Sequence, residues 1–468
     1  MFNTFLWFKG ADMKPLLVLE IPGLTGEMVK AHAPRLNALA EAGGMSGIDP
    51  VLPAVTMPAH ASILTGLPPG DHGVVANGWF HRAHNEVMFW RQSEKLVQGE
   101  AVWDAGKKRD ASFTCFKHFW WPGMASTADL YVNVRPVYFA DGRKAPDVYA
   151  NRPGLSVELQ EQFGTFPLFN FWGPLTSIKS TRWIADTAMH VMGQELSTLN
   201  LVYLPHLDYK QQSHGPGHPS IAAEVAELDG VAGELIDFAA KHDMRVMVIS
   251  SYHMNAVDTP VHLNRLFREQ GWLKVIENAA GELIDYGTSK VFAVADHQSA
   301  QIYVQDPGMI EAVKTVLLQT PGVARVFDRA DQDLYDVAAE GSGELFVLAE
   351  KKAWFTYYYW LDDAKAPDFA RTIAIHAKPG YDPCELFLDP TIGNPKLRVA
   401  KSLLKKKLGF RYLLDVIPLD ASLVKGSHGL RPDGPGEFPV YIDPIGGLSD
   451  ERIPMTALKQ RMLDLIFA

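Results

Sequence analysis

The 468-residue chain has only two cysteines, Cys115 and Cys384. That is too few for a disulfide framework, and a reducing, cytoplasmic setting is the expectation. No stretch holds about 18 uninterrupted apolar residues, so no membrane span is expected. Positive charge is not in excess either. The net charge of −10 argues against nucleic acid as a partner. Internal repeats and low-complexity tracts are missing. The start of the chain lacks the long apolar core and small-residue cleavage site of a signal peptide. Residues 1–12 are therefore read as an N-terminal appendage, with Met13 as a second candidate start. What remains is globular in composition, 47% hydrophobic and 21% charged. It is long enough for one large domain carrying an insertion.

Short apolar strands alternate with helical patterns. Leu16 to Leu19 reads as a strand and 33–44 as a helix ending on a glycine pair. Leu199 to Leu204 is a buried strand, followed by a helix over 220–242 and a strand from Arg245 to Ile249. This alternation predicts an α/β fold with a doubly wound, mostly parallel sheet. Ligands of such sheets sit at the carboxyl ends of the strands. Residues 290–375 differ, with strands at Val291–Val294, Gln301–Val304 and Val323–Phe327 around a helix at 307–318. They are read as a small α/β insertion, or cap, between core segments 13–289 and 376–468.

The densest signal lies at 50-PVLPAVTMPAHASILTGLPPGDHGVVANGWF-80. Here Thr56 precedes a proline and an apolar helix, so its hydroxyl is expected in the positive field of a helix start, a natural anion site. The bland alternative is a helix N-cap. The ordered string Thr56-Met57-Pro58, Thr65-Gly66-Leu67, Pro69, His72-Gly73-Val74 and Asn77 resembles the nucleophile region of the type I phosphodiesterase/nucleotide pyrophosphatase family, in the alkaline phosphatase superfamily. The resemblance implies an alkaline-phosphatase-like fold, Thr56 as nucleophile and metal ligand, and Asn77 as a phosphate contact. It also implies a pair of zinc or other divalent cations, held by six further side chains.

Those six positions are only partly kept. The first strand ends Glu20-Ile21-Pro22-Gly23, which puts Pro22 where the family has an aspartate. Glu20 lies two residues earlier, about 6–7 Å away. It could substitute only after a strand shift, and a paired or solvated glutamate is the simpler reading. Asp208 matches the second motif, but Gln212 stands where its histidine should be, and His214 lies two residues further. Anchoring the third motif on Met254 and Val257 pairs its Asp and His with Ser251 and Tyr252. A register shifted by one would use His253 instead. His428, in Ser427-His428-Gly429, is a full match. Thr56, Asp208 and His428 are thus kept, while Pro22, Gln212, Ser251 and Tyr252 replace ligands.

At most one metal site is expected, on Asp208 and His428 with Gln212 or His214, or none at all. Without a second cation a threonine is a poor nucleophile. Losing several kcal/mol of charge stabilisation slows turnover by at least roughly a thousandfold. The expected function is binding of a phosphate-bearing small molecule, a phosphate ester or anion, at the Thr56 helix start, with weak or absent hydrolysis, as in a pseudoenzyme. Two alternatives stay open: an active phosphoric ester hydrolase or transferase with a rebuilt one-metal site, and a non-catalytic scaffold in a biosynthetic complex. Asp296-His297-Gln298 is read as structural hydrogen bonding rather than cleft rim. The aromatic stretch 354–360 is left between a ligand pocket, a protein-partner surface and plain packing. The basic run 401–411 is read as a solvated helix face rather than a membrane or polyanion site.

Overall fold

A computed structural model describes residues 13–140, 144–373, 378–408, 414–446 and 452–468. The 1–12 appendage, and the boundary expected at 376 with its histidine, lie outside the described residues. The core begins with β1 (Leu16–Glu20), α1 (Pro34–Ala42), β2 (Gly44–Asp49) and α2 (Thr56–Thr65). Next come β3 (Cys115–His118), β4 (Leu130–Val134), β5 (Val148–Ala150) and α3 (Ile178–Gln194). Then follow β6 (Leu199–Tyr203), α4 (His206–His214), α5 (Ile221–Lys241) and β7 (Arg245–Ile249). Residues 291–349 supply β8 (Val291–Asp296), β9 (Ser299–Val304), α6 (Ile310–Leu318), β10 (Val323–Phe327) and β11 (Leu345–Ala349). The chain closes with α7 (Pro395–Lys407), β12 (Val440–Asp443), β13 (Ile453–Pro454) and α8 (Leu458–Phe467).

Nine strands form the central sheet in the order β13-β2-β12-β7-β1-β6-β3-β4-β5. The five middle strands, β7, β1, β6, β3 and β4, are parallel, and β12 and β5 are antiparallel to their inner neighbours. This is the doubly wound, mostly parallel α/β sheet that the alternation predicts. The sequence Leu-Leu-Val-Leu-Glu of β1 is wholly buried, because helices cover both faces of a parallel sheet. Leu17 and Leu19 join the core that holds Leu228 and Leu235 of α5. Leu16 and Val18 face Leu458 and Met462 of α8.

The sheet register positions the site. Glu20 pairs with Tyr203 on one side and Ile249 on the other. The carboxyl ends of β1, β6 and β7 therefore finish level, and the segments that follow them share one sheet edge. Residues 291–349 form a four-stranded antiparallel sheet in the order β8-β9-β11-β10, beside α6.

The aromatic stretch is interior, which overturns its reading as a protein-partner surface. Trp354, Phe355, Tyr358 and Trp360 are at most 2% exposed. Their polar tips are partly satisfied inside: Trp360 Nε1 donates to Asp363 and Tyr359 Oη to the Glu282 carbonyl. Large rings bury enough area to override any surface role. Trp360→Ala is therefore expected to cost about 3–5 kcal/mol in urea unfolding, whereas Leu361→Ala at the exposed neighbouring position should change stability by no more than about 0.5 kcal/mol.

Candidate active site

Helix α2 begins at Thr56 itself. Val55 is the N-cap and makes no side-chain cap bond, which corrects both the N-cap reading of Thr56 and the expected helix start after it. The helix ends at Gly66, whose φ of +74° is the left-handed conformation that glycine adopts without strain. All ten residues of α2 are buried. Thr56 is held at the sheet edge because Asn77 ties down the helix start: its Oδ1 accepts the Met57 N–H at 2.9 Å.

Asn77 is itself gripped from the end of β8. Its backbone N–H and side-chain amide both donate to Asp296, at 2.7 and 3.1 Å, and the amide also reaches Tyr381 Oη at 3.2 Å. Asn77 therefore holds the helix start, and it is not among the residues that line the cavity above Thr56. His297 follows Asp296 at a φ of +59°, an uncommon conformation for a residue with a side chain. Its ring packs on His428 with centroids 4.0 Å apart. His297 faces the cavity, a role beyond the structural one expected.

One hydrogen-bonded chain joins the expected residues. Tyr252 Oη donates to Asp208 Oδ1 at 3.2 Å and lies 3.2 Å from Thr56 Oγ1. A tyrosine has one hydroxyl proton, so with that proton given to Asp208 the Thr56 hydroxyl is the donor to Tyr252. Gln212, four residues after Asp208 and on the same helix face, donates its amide to Oδ2 at 2.7 Å. The Tyr252 ring stacks on His428 at 3.8 Å with an interplanar angle of 2°. Tyr252 thus stands between the Thr56 hydroxyl and the Asp208 carboxylate, where the resemblance implies a metal-binding histidine.

Three candidates sit elsewhere. His214 is exposed and stacks on His218 at 5.2 Å, because two residues beyond Gln212 is the far side of α4. His253 is buried against Asn255 at 3.3 Å and does not line the cavity. Glu20 Oε1 accepts the Ser251 N–H at 3.0 Å, and Oε2 lies 3.4 Å from His60 Nε2, beneath the cavity floor.

Whether cations fit can be judged from the donors. His428 Nδ1 faces the Ala54 carbonyl at 3.0 Å and so carries the proton. Its bare Nε2 faces Asp208 Oδ1 at 3.9 Å, acceptor against acceptor. Gln212 Oε1 is buried without a hydrogen-bond partner. One cation on Asp208 and His428, with the Gln212 carbonyl near, would satisfy these groups. For a second, Pro22 and Ser251 offer no charged ligand, Glu20 Oε1 is taken by the Ser251 N–H, and the Tyr252 hydroxyl lies 3.2 Å from that of Thr56. Among the described residues, the group of three acid or imidazole side chains close enough to share an ion is His206, Glu224 and Glu227, on α4 and α5 outside the cavity. Sequence reasoning did not single it out.

Eight aromatic residues line the cavity, together with Thr56, Asp208, Gln212, His297 and His428; its volume is about 50 Å³. Among the described residues, no lysine or arginine lines it. Tyr357 and Tyr359 line a separate cavity of about 230 Å³ with Phe89 and Tyr286. Burial pushes the Asp208 carboxyl up to about 7 and His428 down to about 3, and it also keeps His297 neutral. Because the folded pKa of Asp208 lies above its unfolded value of 3.8, its favourable contribution is complete below about pH 4 and is lost as pH rises through 7. Metal-free protein should therefore melt at a lower temperature at pH 8 than at pH 6, and Asp208→Asn should flatten that difference in a calorimetric series.

Residues 16–382 match the type I phosphodiesterase / nucleotide pyrophosphatase family. The chain is 23% identical over 288 residues to ectonucleotide pyrophosphatase/phosphodiesterase family member 1 of Homo sapiens, covering 58% of this chain and 27% of that protein. It is 24% identical over 271 residues to an uncharacterised pyrophosphatase/phosphodiesterase of Schizosaccharomyces pombe, covering 54% and 46%. The matched part thus spans less than half the length of these relatives. Among solved structures, an inactive murine ectonucleotide pyrophosphatase/phosphodiesterase 5 in complex with AMP aligns with a TM-score of 0.59 at 13% identity, over 97% of this chain and 95% of that one. Phosphonoacetate hydrolase from Sinorhizobium meliloti in complex with phosphonoformate aligns at 0.61 and 14%, over 98% and 97%. Both likenesses concern the fold. The Thr56-to-Asn77 string, the sheet edge that gathers Asp208 and His428, and a match over most of the sequence agree: this chain belongs to the type I phosphodiesterase/nucleotide pyrophosphatase family.

Proposed function

We propose that the chain binds a phosphate-bearing small molecule at the start of α2, and that it hydrolyses phosphate esters slowly or not at all. The carrying observation is the Thr56–Tyr252–Asp208 chain. It keeps the family's nucleophile position and puts a neutral phenol where a cation would otherwise neutralise the reacting phosphate. A phenol whose pKa is raised by burial supplies no positive charge, and the cavity wall has none. An anion would rely on the helix start and on one divalent cation at Asp208 and His428. When bound, such a cation would supply charge neutralisation.

The walls speak to the rest of the ligand. Trp121, Trp90, Tyr381, Trp172, Tyr209 and Phe171 touch in sequence, each ring edge-on to the next at 5.2 to 6.1 Å between centroids. A rim of this kind favours a flat or apolar organic group over a second anionic one. The structures in complex with AMP and phosphonoformate support a ligand of this general class.

The test is turnover of a nitrophenyl phosphodiester with and without zinc, alongside the metal content after dialysis. Wild type should be slow and hold at most about one equivalent of tightly bound metal, and Thr56→Ala should abolish the remainder. Combining Pro22→Asp, Ser251→Asp and Tyr252→His should raise zinc content and rate together. Fast turnover that survives Thr56→Ala, or two equivalents of zinc in wild type, would overturn the proposal.

A further inference from the structure

The basic run near residue 400 presents leucines as well as lysines to solvent. Leu397, Leu404 and Leu408 are 66%, 56% and 63% exposed. Leu408 continues the last turn through its N–H to the Leu404 carbonyl at 3.0 Å. Positions 397, 401, 404 and 408 fall on one helical stripe, so the leucines line up with exposed Lys401, and exposed Lys405 flanks them. Ser402 lies on the buried side, and Arg398 anchors α7 to the body of the protein through Asp415. Residues 395–411 hold seven lysines and arginines and no acid, within a chain of net charge −10.

From this we infer that α7 is a surface-lying helix that docks the protein on an anionic lipid membrane. At 13 residues it is about 20 Å long, too short to cross a bilayer, and no helix among the described residues is long and apolar enough to do so. Exposed leucines between lysines suit the boundary of acyl chains and headgroups: the leucines enter the apolar layer, and the ammonium groups meet anionic headgroups. A polyanion such as nucleic acid would use the lysines alone and leave the leucine stripe in water. A second copy of this acidic chain would meet the lysines but has no reason to match the spacing of the leucines.

The experiment is co-sedimentation of the full chain with phosphatidylcholine vesicles, with or without phosphatidylglycerol. Binding to the anionic vesicles should exceed binding to the neutral ones by about tenfold or more and should weaken at high salt. The combined Leu397→Ser, Leu404→Ser and Leu408→Ser variant, and separately the Lys401→Glu, Lys405→Glu variant, should each lose most of it. Since all five side chains are exposed, melting temperatures should stay put. As a second readout, Leu404→Cys carrying an environment-sensitive dye should shift to the blue on anionic vesicles, because the two native cysteines are buried and escape labelling. Equal sedimentation with both vesicle types, or no dye shift, overturns the inference. So does vesicle binding that survives loss of the leucines, which would mark a polyanion patch. A leucine-dependent dimer without vesicle binding would assign the stripe to a second copy.

Discussion

A carboxylate taken out of water with no positive side chain beside it governs this site. Isolated buried charge is costly, and Asp208 meets that cost in two ways. Its pKa rises, and it accepts hydrogen bonds from Tyr252 and Gln212, while the bare nitrogen of His428 faces it as a second acceptor. Each of these neighbours is held by something further out. His428 is fixed by the Ala54 carbonyl just ahead of α2, and Tyr252 by its stacking on His428.

The fold was legible in the sequence because parallel strands buried on both faces must be written as apolar runs, and β1, β6 and β7 are. The positions of Thr56, Asp208 and His428 were legible because each sits in a local motif of fixed spacing. What Tyr252 does was not. In the sequence it is a missing histidine, and only the geometry of a ring laid flat on His428 turns that loss into a hydrogen-bonded bridge. The hold on Asn77 was hidden for a related reason: spacing gives its distance along the chain but not its partner, Asp296. An Asp-His pair directly after an apolar strand, at 296–297, was the available clue.

The aromatic residues divide by the same logic. The stretch at 354–360 is dense enough to suggest a surface, yet its rings are swallowed by packing around the insertion. The rings that meet the cavity, Trp90, Trp121, Trp172 and Tyr381 among them, are scattered over nearly 300 residues and form no pattern in the sequence. Only folding brings them together as a rim, with its edge-on contacts. Local density of a residue type is a weaker guide to a binding wall than the number of elements that converge on one sheet edge.

The double hold on Asn77 ties two distant parts of the chain together. Asp296 belongs to the first strand of the insertion, and Met57 to the first turn of the helix that carries Thr56. One amide side chain thus sets two things at once, the first turn of the helix that begins at Thr56 and the place of the strand that ends at Asp296, so a change at Asn77 would be felt on both sides of the cavity.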